Sequence, residues 1–116
     1  MTDLDLSETN IADISPLSGL GNLRTLSLNG TPLAGLSALR ELRNLAALHL
    51  LGTRVSDLSR LGGLSNLMTL SIHGTSVADV SVIGDLPNLT TLHFDRAKVT
   101  SLRVAPHREV RLIVST

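Results

Sequence analysis

The sequence predicts an α/β solenoid: a right-handed coil with a parallel β-sheet on its concave side and 3₁₀ or short helical turns on its convex side. Three observations lead there. Apolar residues recur every twenty-two positions, and the spacing inside each repeat changes from alternation to steps of three. The chain is 42% hydrophobic yet only 1% aromatic, with Phe94 its one aromatic ring. Ordinary cores fill irregular gaps with such rings, whereas stacked identical units can be filled by leucine alone.

The repeat sets five coils starting at about residues 1, 23, 45, 67 and 89, all in one domain over residues 1–116. The second coil supplies Leu23, Leu26, Leu28, Leu33, Leu36, Leu39 and Leu42; the third supplies Leu45, Leu48, Leu50, Val55, Leu58, Leu61 and Leu64. The fourth and sixth positions alternate with polar neighbours as in a half-buried strand, and the later ones step by three as in a tight helical return. No coil can bury its leucines alone, so strands must stack side by side at roughly 4.8 Å per step.

Punctuation residues recur with the same period. Asn22, Asn44, Asn66 and Asn88 precede the strands, where Asn tolerates the left-handed conformation that ends a helical turn. Ser15, Ser37, Ser59 and Ser81 stand before the three-step segments as helix N-caps, and Pro16 takes a favoured first helical position. Gly30, Gly52 and Gly74 allow a sharp turn out of the strand, and the threonines after them, Thr31, Thr53 and Thr75, are expected to turn inward and bond the backbone of neighbouring coils.

The phrases "LRTLSLNGTPL", "LAALHLLGTRV" and "LMTLSIHGTSV" resemble the leucine-rich-repeat consensus L-x-x-L-x-L-x-x-N-x-L. The repeat length and "NIADISPLSGLGNL" resemble the bacterial internalin-like subclass. The resemblance implies a curved ligand-binding module, normally part of a longer protein. Three departures accompany it. Thr9, Thr31, Thr53 and Thr75 occupy the asparagine place of the family; the secretion signal and N-terminal cap expected of internalins are missing; and the last coil decays, with Ala97, Ala105 and Arg108 at repeat positions and a closing strand expected at about 110–114. Met1 starts at a core position with nothing before it to cover Leu4 and Leu6, so the chain is expected to be fused to further domains.

Bulk properties exclude several function classes. Ten basic and ten acidic residues cancel, leaving no field to draw the chain onto nucleic acid or an anionic membrane. No cysteine is present, which excludes disulfides, thiolate metal sites and a cysteine nucleophile. "MTDLDLSETN" is neither signal peptide nor membrane span, which favours the cytoplasm over secretion.

Candidate functional residues lie on the concave side, where rows vary over a constant frame. The row between the buried strand leucines reads Asp5, Ser27, His49, Ser71, His93, and the next reads Ser7, Asn29, Leu51, His73, Asp95. The candidate ligand-binding set is Ser27, Asn29, His49, Leu51, Ser71, His73, His93 and Asp95. Leu51, apolar in a polar row, is a candidate anchor. His73 and Asp95 share a row on adjacent strands, roughly 5 Å apart at Cβ, with His93 on the same face. The three could hold a divalent metal or act as an acid–base pair, but an open sheet supplies neither a water-excluding pocket nor supporting partners. No cofactor is expected.

The basic residues read as scattered. Arg40 and Arg43 lie on the convex return, Arg54 on a turn, and Arg96, Arg103, Arg108 and Arg111 near the C-terminal end, without aromatic rings to stack bases. "GGL" at Gly62–Leu64 lies inside a repeat and has no phosphate-loop context. The function expected is non-enzymatic recognition of a protein partner through the concave face. The alternatives are a sensor segment of a larger signalling or defence ATPase, a ligand-free spacer, and an activity at His73, His93 and Asp95.

Overall fold

The computed structural model describes residues 2–95 and the backbone of 111–115. Six parallel strands form one sheet in sequence order: β1 Asp3–Asp5, β2 Thr25–Ser27, β3 Ala47–His49, β4 Thr69–Ser71, β5 Thr91–Asp95 and β6 Arg111–Ser115. Between the first five run four 3₁₀ turns, η1 Ser15–Gly19, η2 Ser37–Glu41, η3 Ser59–Gly63 and η4 Ser81–Asp85. Leu4, Leu26, Leu48, Leu70 and Leu92 stand side by side across β1 to β5. β6 pairs Leu112 with Leu92, an offset of twenty residues where the earlier pairs have twenty-two. The 96–110 segment, with Ala97, Ala105, Arg96, Arg103 and Arg108, lies outside the described residues, as does the Arg111 side chain.

All seven repeat positions of the second, third and fourth coils are buried, from Leu23 through Leu86. Each buried leucine contributes on the order of 2 kcal/mol of transfer free energy, so the stack rests on this column. Among the described residues of the first coil only Ile14 is a buried apolar residue; Leu4, Leu6, Ile11, Leu17 and Leu20 are partly buried and packed against the core. The left-handed turn after the strand is taken by Gly30, Gly52 and Gly74, with φ between 69° and 71°. Glu8 holds the same place in the first coil at φ 61°.

Three readings of the punctuation need correction. The serines are not the caps: the residues before η1 to η4 are Ile14, Leu36, Leu58 and Val80, and none makes a side-chain cap bond. The inward apolar step takes that place, so the polar acceptor moves back one residue. The Oδ1 atoms of Asp13, Asp57 and Asp79 accept the N–H of Ser15, Ser59 and Ser81 at 2.8–2.9 Å, as Asx turns. Those bonds, first from the serine N–H and then from its side chain, hold the three carboxyls below the usual value of 3.8. Gly35 stands in this place in the second coil and offers no acceptor.

The asparagines are not left-handed, since among the described residues Glu8 is the only non-glycine with positive φ. Instead the Nδ2 atoms of Asn44, Asn66 and Asn88 donate to the carbonyls of Gly21, Arg43 and Ser65 one coil back, at 2.7–3.0 Å. Satisfying those carbonyls outweighs a strained backbone. The threonines do turn inward, but the Oγ1 atoms of Thr31, Thr53 and Thr75 donate to Leu28, Leu50 and Ile72 of their own coil at 2.7–2.9 Å. Each hydroxyl is spent on the carbonyl three residues back, so each pins only its own turn. Coils are joined there by backbone, Gly30 N–H to Leu51 C=O at 2.7 Å and Gly52 N–H to His73 C=O at 2.8 Å.

Candidate functional site

The parallel register lines up Asp5, Ser27, His49, Ser71 and His93 as neighbours on the face opposite the leucine column. This exact alternation follows from the strand period of two: one residue inward, the next outward. Ser27 of this row and Ser7 of the next share a hydrogen bond between their hydroxyls at 2.6 Å, and within the row His49 Nδ1 and the Ser71 Oγ share one at 3.2 Å whose direction follows the imidazole tautomer. Ser71 is buried between its neighbours and serves to position His49.

The structure brings His73 and His93 together, with ring centroids 5.5 Å apart and planes at 79°, an edge-to-face contact. The Nε2 of His73 is buried there without a hydrogen-bond partner. Burial pushes the His93 pKa below its usual 6.5, and the neighbouring imidazoles of His73 and His49 push it further the same way. A charged form of His93 would face partly desolvated surroundings and two further histidines, so the neutral ring is favoured.

Asp95 does not join this group. Its Oδ2 accepts the Gly74 N–H at 2.6 Å, where the equivalent glycines use the carbonyl of the next coil. Among the described residues no set of His, Cys, Asp or Glu is placed to hold a metal ion. The carboxylate is committed to the backbone and the histidines to each other. Asn29 is similarly occupied, its Oδ1 accepting the Leu51 N–H at 2.9 Å. Leu51 itself is 44% exposed on the turn between Asn29 and His73. The eight candidates thus divide into exposed Leu51 with the half-buried rings of His49, His73 and His93, and supporting groups in Ser27, Asn29, Ser71 and Asp95.

Two features escape the sequence reading. Met68 is 49% exposed just before β4, outside the repeat's apolar set, and that displacement was the available signal. Arg40 and Arg43, read as scattered, border one open groove with Arg60, because the return segments of adjacent coils lie side by side. The period alone would have paired them, had the polar positions of the returns been aligned as the leucines were.

Residues 1–41 match the family model for leucine-rich repeats in two copies. The fold matches a crystal structure of internalin C2 from Listeria monocytogenes at TM-score 0.82 and 34% identity, covering 99% of this chain and 51% of that one. A second Listeria monocytogenes structure, internalin F, matches at TM-score 0.67 and 19% identity over 100% of this chain and 43% of the other, a likeness of fold. The chain spans about half the length of these solved internalins. No curated protein matches it. No helix among the described residues is long and apolar enough to cross a membrane.

Proposed function

Because the chain is a bacterial internalin-like leucine-rich-repeat protein, we propose that it is a non-catalytic recognition module that binds a protein partner through its concave strand face. One observation carries this reading: exposed Leu51 shares the concave face with the rings of His73, His93 and His49 on a sheet whose backbone bonds are satisfied coil by coil. An apolar anchor ringed by polar rings on a rigid frame loses little entropy on binding, which is what a protein contact needs. Acid–base chemistry finds no support there, since Asp95 is held by Gly74.

The test places a photo-crosslinking residue at position 51 and, as control, at exposed Ser18 on the convex side, and identifies the adducts. The recovered partner is then bound in purified form to the chain carrying Leu51→Ala, His49→Ala and His93→Ala together. Adducts from position 51 and at least about tenfold weaker binding by the folded variant are expected, from a few hot-spot contacts of ~1–2 kcal/mol each. Adducts from position 18 alone, or unchanged binding, would overturn the reading.

A further inference from the structure

The convex side carries a surface that the concave-face reading does not use. At the two positions where the second coil has Arg40 and Glu41 and the fourth has Gly84 and Asp85, the third coil has Gly62 and Gly63. Without side chains there, the return of the third coil leaves a notch, bounded on the Gly62 side by Asp85 and Val82, which an added Cβ would meet at 3.8–3.9 Å. A side chain on Gly63 would meet nothing within 4 Å, so the notch is open to its backbone floor. The open groove has a volume of about 490 Å³. Arg40 and Arg43 come from the second coil, Arg60 from the third coil itself, and Asp85 of the fourth coil stands beside Gly62.

Three guanidiniums of like charge around one groove repel one another unless an anion lies between them. All three side chains are exposed. Arg60 also faces Asp57, whose carboxyl it helps to hold low as a minor contributor behind the bonds from Ser59. That leaves Arg40 and Arg43 as the open side of the charge. Planar guanidiniums match carboxylates two bonds at a time. A floor of bare backbone admits an extended peptide rather than a bulky headgroup. Asp85 also lines the groove and repels any anion, so a segment that fits must turn its carboxylates to the arginines and away from Asp85; the single aromatic ring of the chain, Phe94, is buried, so nucleic-acid bases would have nothing to stack on.

We propose that the notch of Arg40, Arg43, Arg60, Gly62 and Gly63 is a second interaction surface, which takes a carboxylate-rich segment of a protein. It stands independently of the concave face, so the chain would offer two faces to partners.

A hexaglutamate peptide is the probe, titrated into isotopically labelled protein and followed by amide chemical shifts. Saturable shifts confined to residues 59–63 and the neighbourhood of Arg40 and Arg43 are expected, weakening as salt rises from about 50 to about 200 mM. Replacing Arg40, Arg43 and Arg60 by alanine together should weaken binding on the order of tenfold, about two- to threefold for each exposed charge. Gly63→Glu, which places a carboxylate in the notch without touching the arginines, should weaken it comparably. Replacing His49, Leu51 and His93 should change nothing. The proposal is overturned by an absence of saturable shifts, by shifts centred on the concave strands, by binding that survives both the arginine and the Gly63 changes, or by a tighter response to tripolyphosphate than to hexaglutamate.

Discussion

Alanine at Gly52 and alanine at Gly74 probe the same turn in two different packings. Both glycines have φ near +70°, where a side chain is strained by about 1–2 kcal/mol. Around Gly52 there is room: an added Cβ would lie 3.9 Å from the nearest atoms, the Cα and N of Gly30. Around Gly74 it would lie 3.3 Å from Gly52 N and 3.4 Å from Gly52 Cα, both backbone atoms that cannot swing aside. Gly52→Ala should therefore cost the conformational term alone, and Gly74→Ala that term plus about 1 kcal/mol of overpacking. Glu8 occupies the same turn at φ 61° with the strain already present. Glu8→Gly should stabilise the fold, by somewhat under 1 kcal/mol once the added freedom of the unfolded chain is subtracted. Urea unfolding followed by circular dichroism reads all three, and each kcal/mol corresponds to roughly 4 °C in a melting scan. If Gly52→Ala costs as much as Gly74→Ala, steric crowding between coils is not what separates them. A loss of stability in Glu8→Gly would refute the assignment of strain to that turn.

Leu48, fully buried in the central strand, should cost about 2–5 kcal/mol when cut to alanine, read as a lower urea midpoint. Thr53→Val keeps the shape of a buried side chain but removes its bond to the Leu50 carbonyl, and should lower stability by about 1 kcal/mol without altering the circular dichroism spectrum. His93 has a folded pKa below the 6.5 of the unfolded chain, so the unfolded state takes up its proton first; stability is full above pH 6.5 and falls as pH drops from there through the folded pKa. Urea midpoints measured across that window should show the loss, and His93→Gln should flatten it. The Asp13, Asp57 and Asp79 carboxyls have depressed values and act in the opposite range, their contribution present above pH 3.8 and lost as pH falls below it. Asp57→Asn should raise the acid end of the stability profile relative to its neutral part.

The fold was legible because its signal is spatially redundant: every leucine of the second coil is matched by an apolar residue at the same place in the third and fourth, and a period of two or three decides which side each faces. Side-chain bonding partners were much less legible. Asn44 and Asn66 look like turn residues, and their type permits a left-handed backbone; only the stacking of coils puts the Gly21 and Arg43 carbonyls within their reach. The serine caps failed for a related reason. A Ser before a helical run fits a cap, but here an inward leucine or isoleucine comes between the polar residue and the turn, and Asp two positions earlier has the length to span it. The concave rows were read correctly as rows because register alone fixes them. Which members remain free depends on contacts that span coils, and those appear only when the stack is built.

That distinction changes what the varied face means. Variation over a constant frame suggests a recognition surface, yet two of the variable positions have been drawn into the frame itself. Asn29 accepts the Leu51 N–H, and Asp95 supplies the Gly74 N–H with an acceptor where the neighbouring coils supply a carbonyl. Substituting either would disturb the turn that presents Leu51 or His73, and a loss of binding would then report a moved anchor rather than a lost contact. The surface that can change partner without changing scaffold is narrower: Leu51 at one edge, with the His49, His73 and His93 rings beside it. On the convex side the logic is reversed, since Gly63 faces open space and Arg40 and Arg43 are exposed on the groove, Arg60 alone also facing the Asp57 of a turn. Alanine there removes charge and leaves the coil intact, so the convex notch gives the cleaner reading of function by mutation.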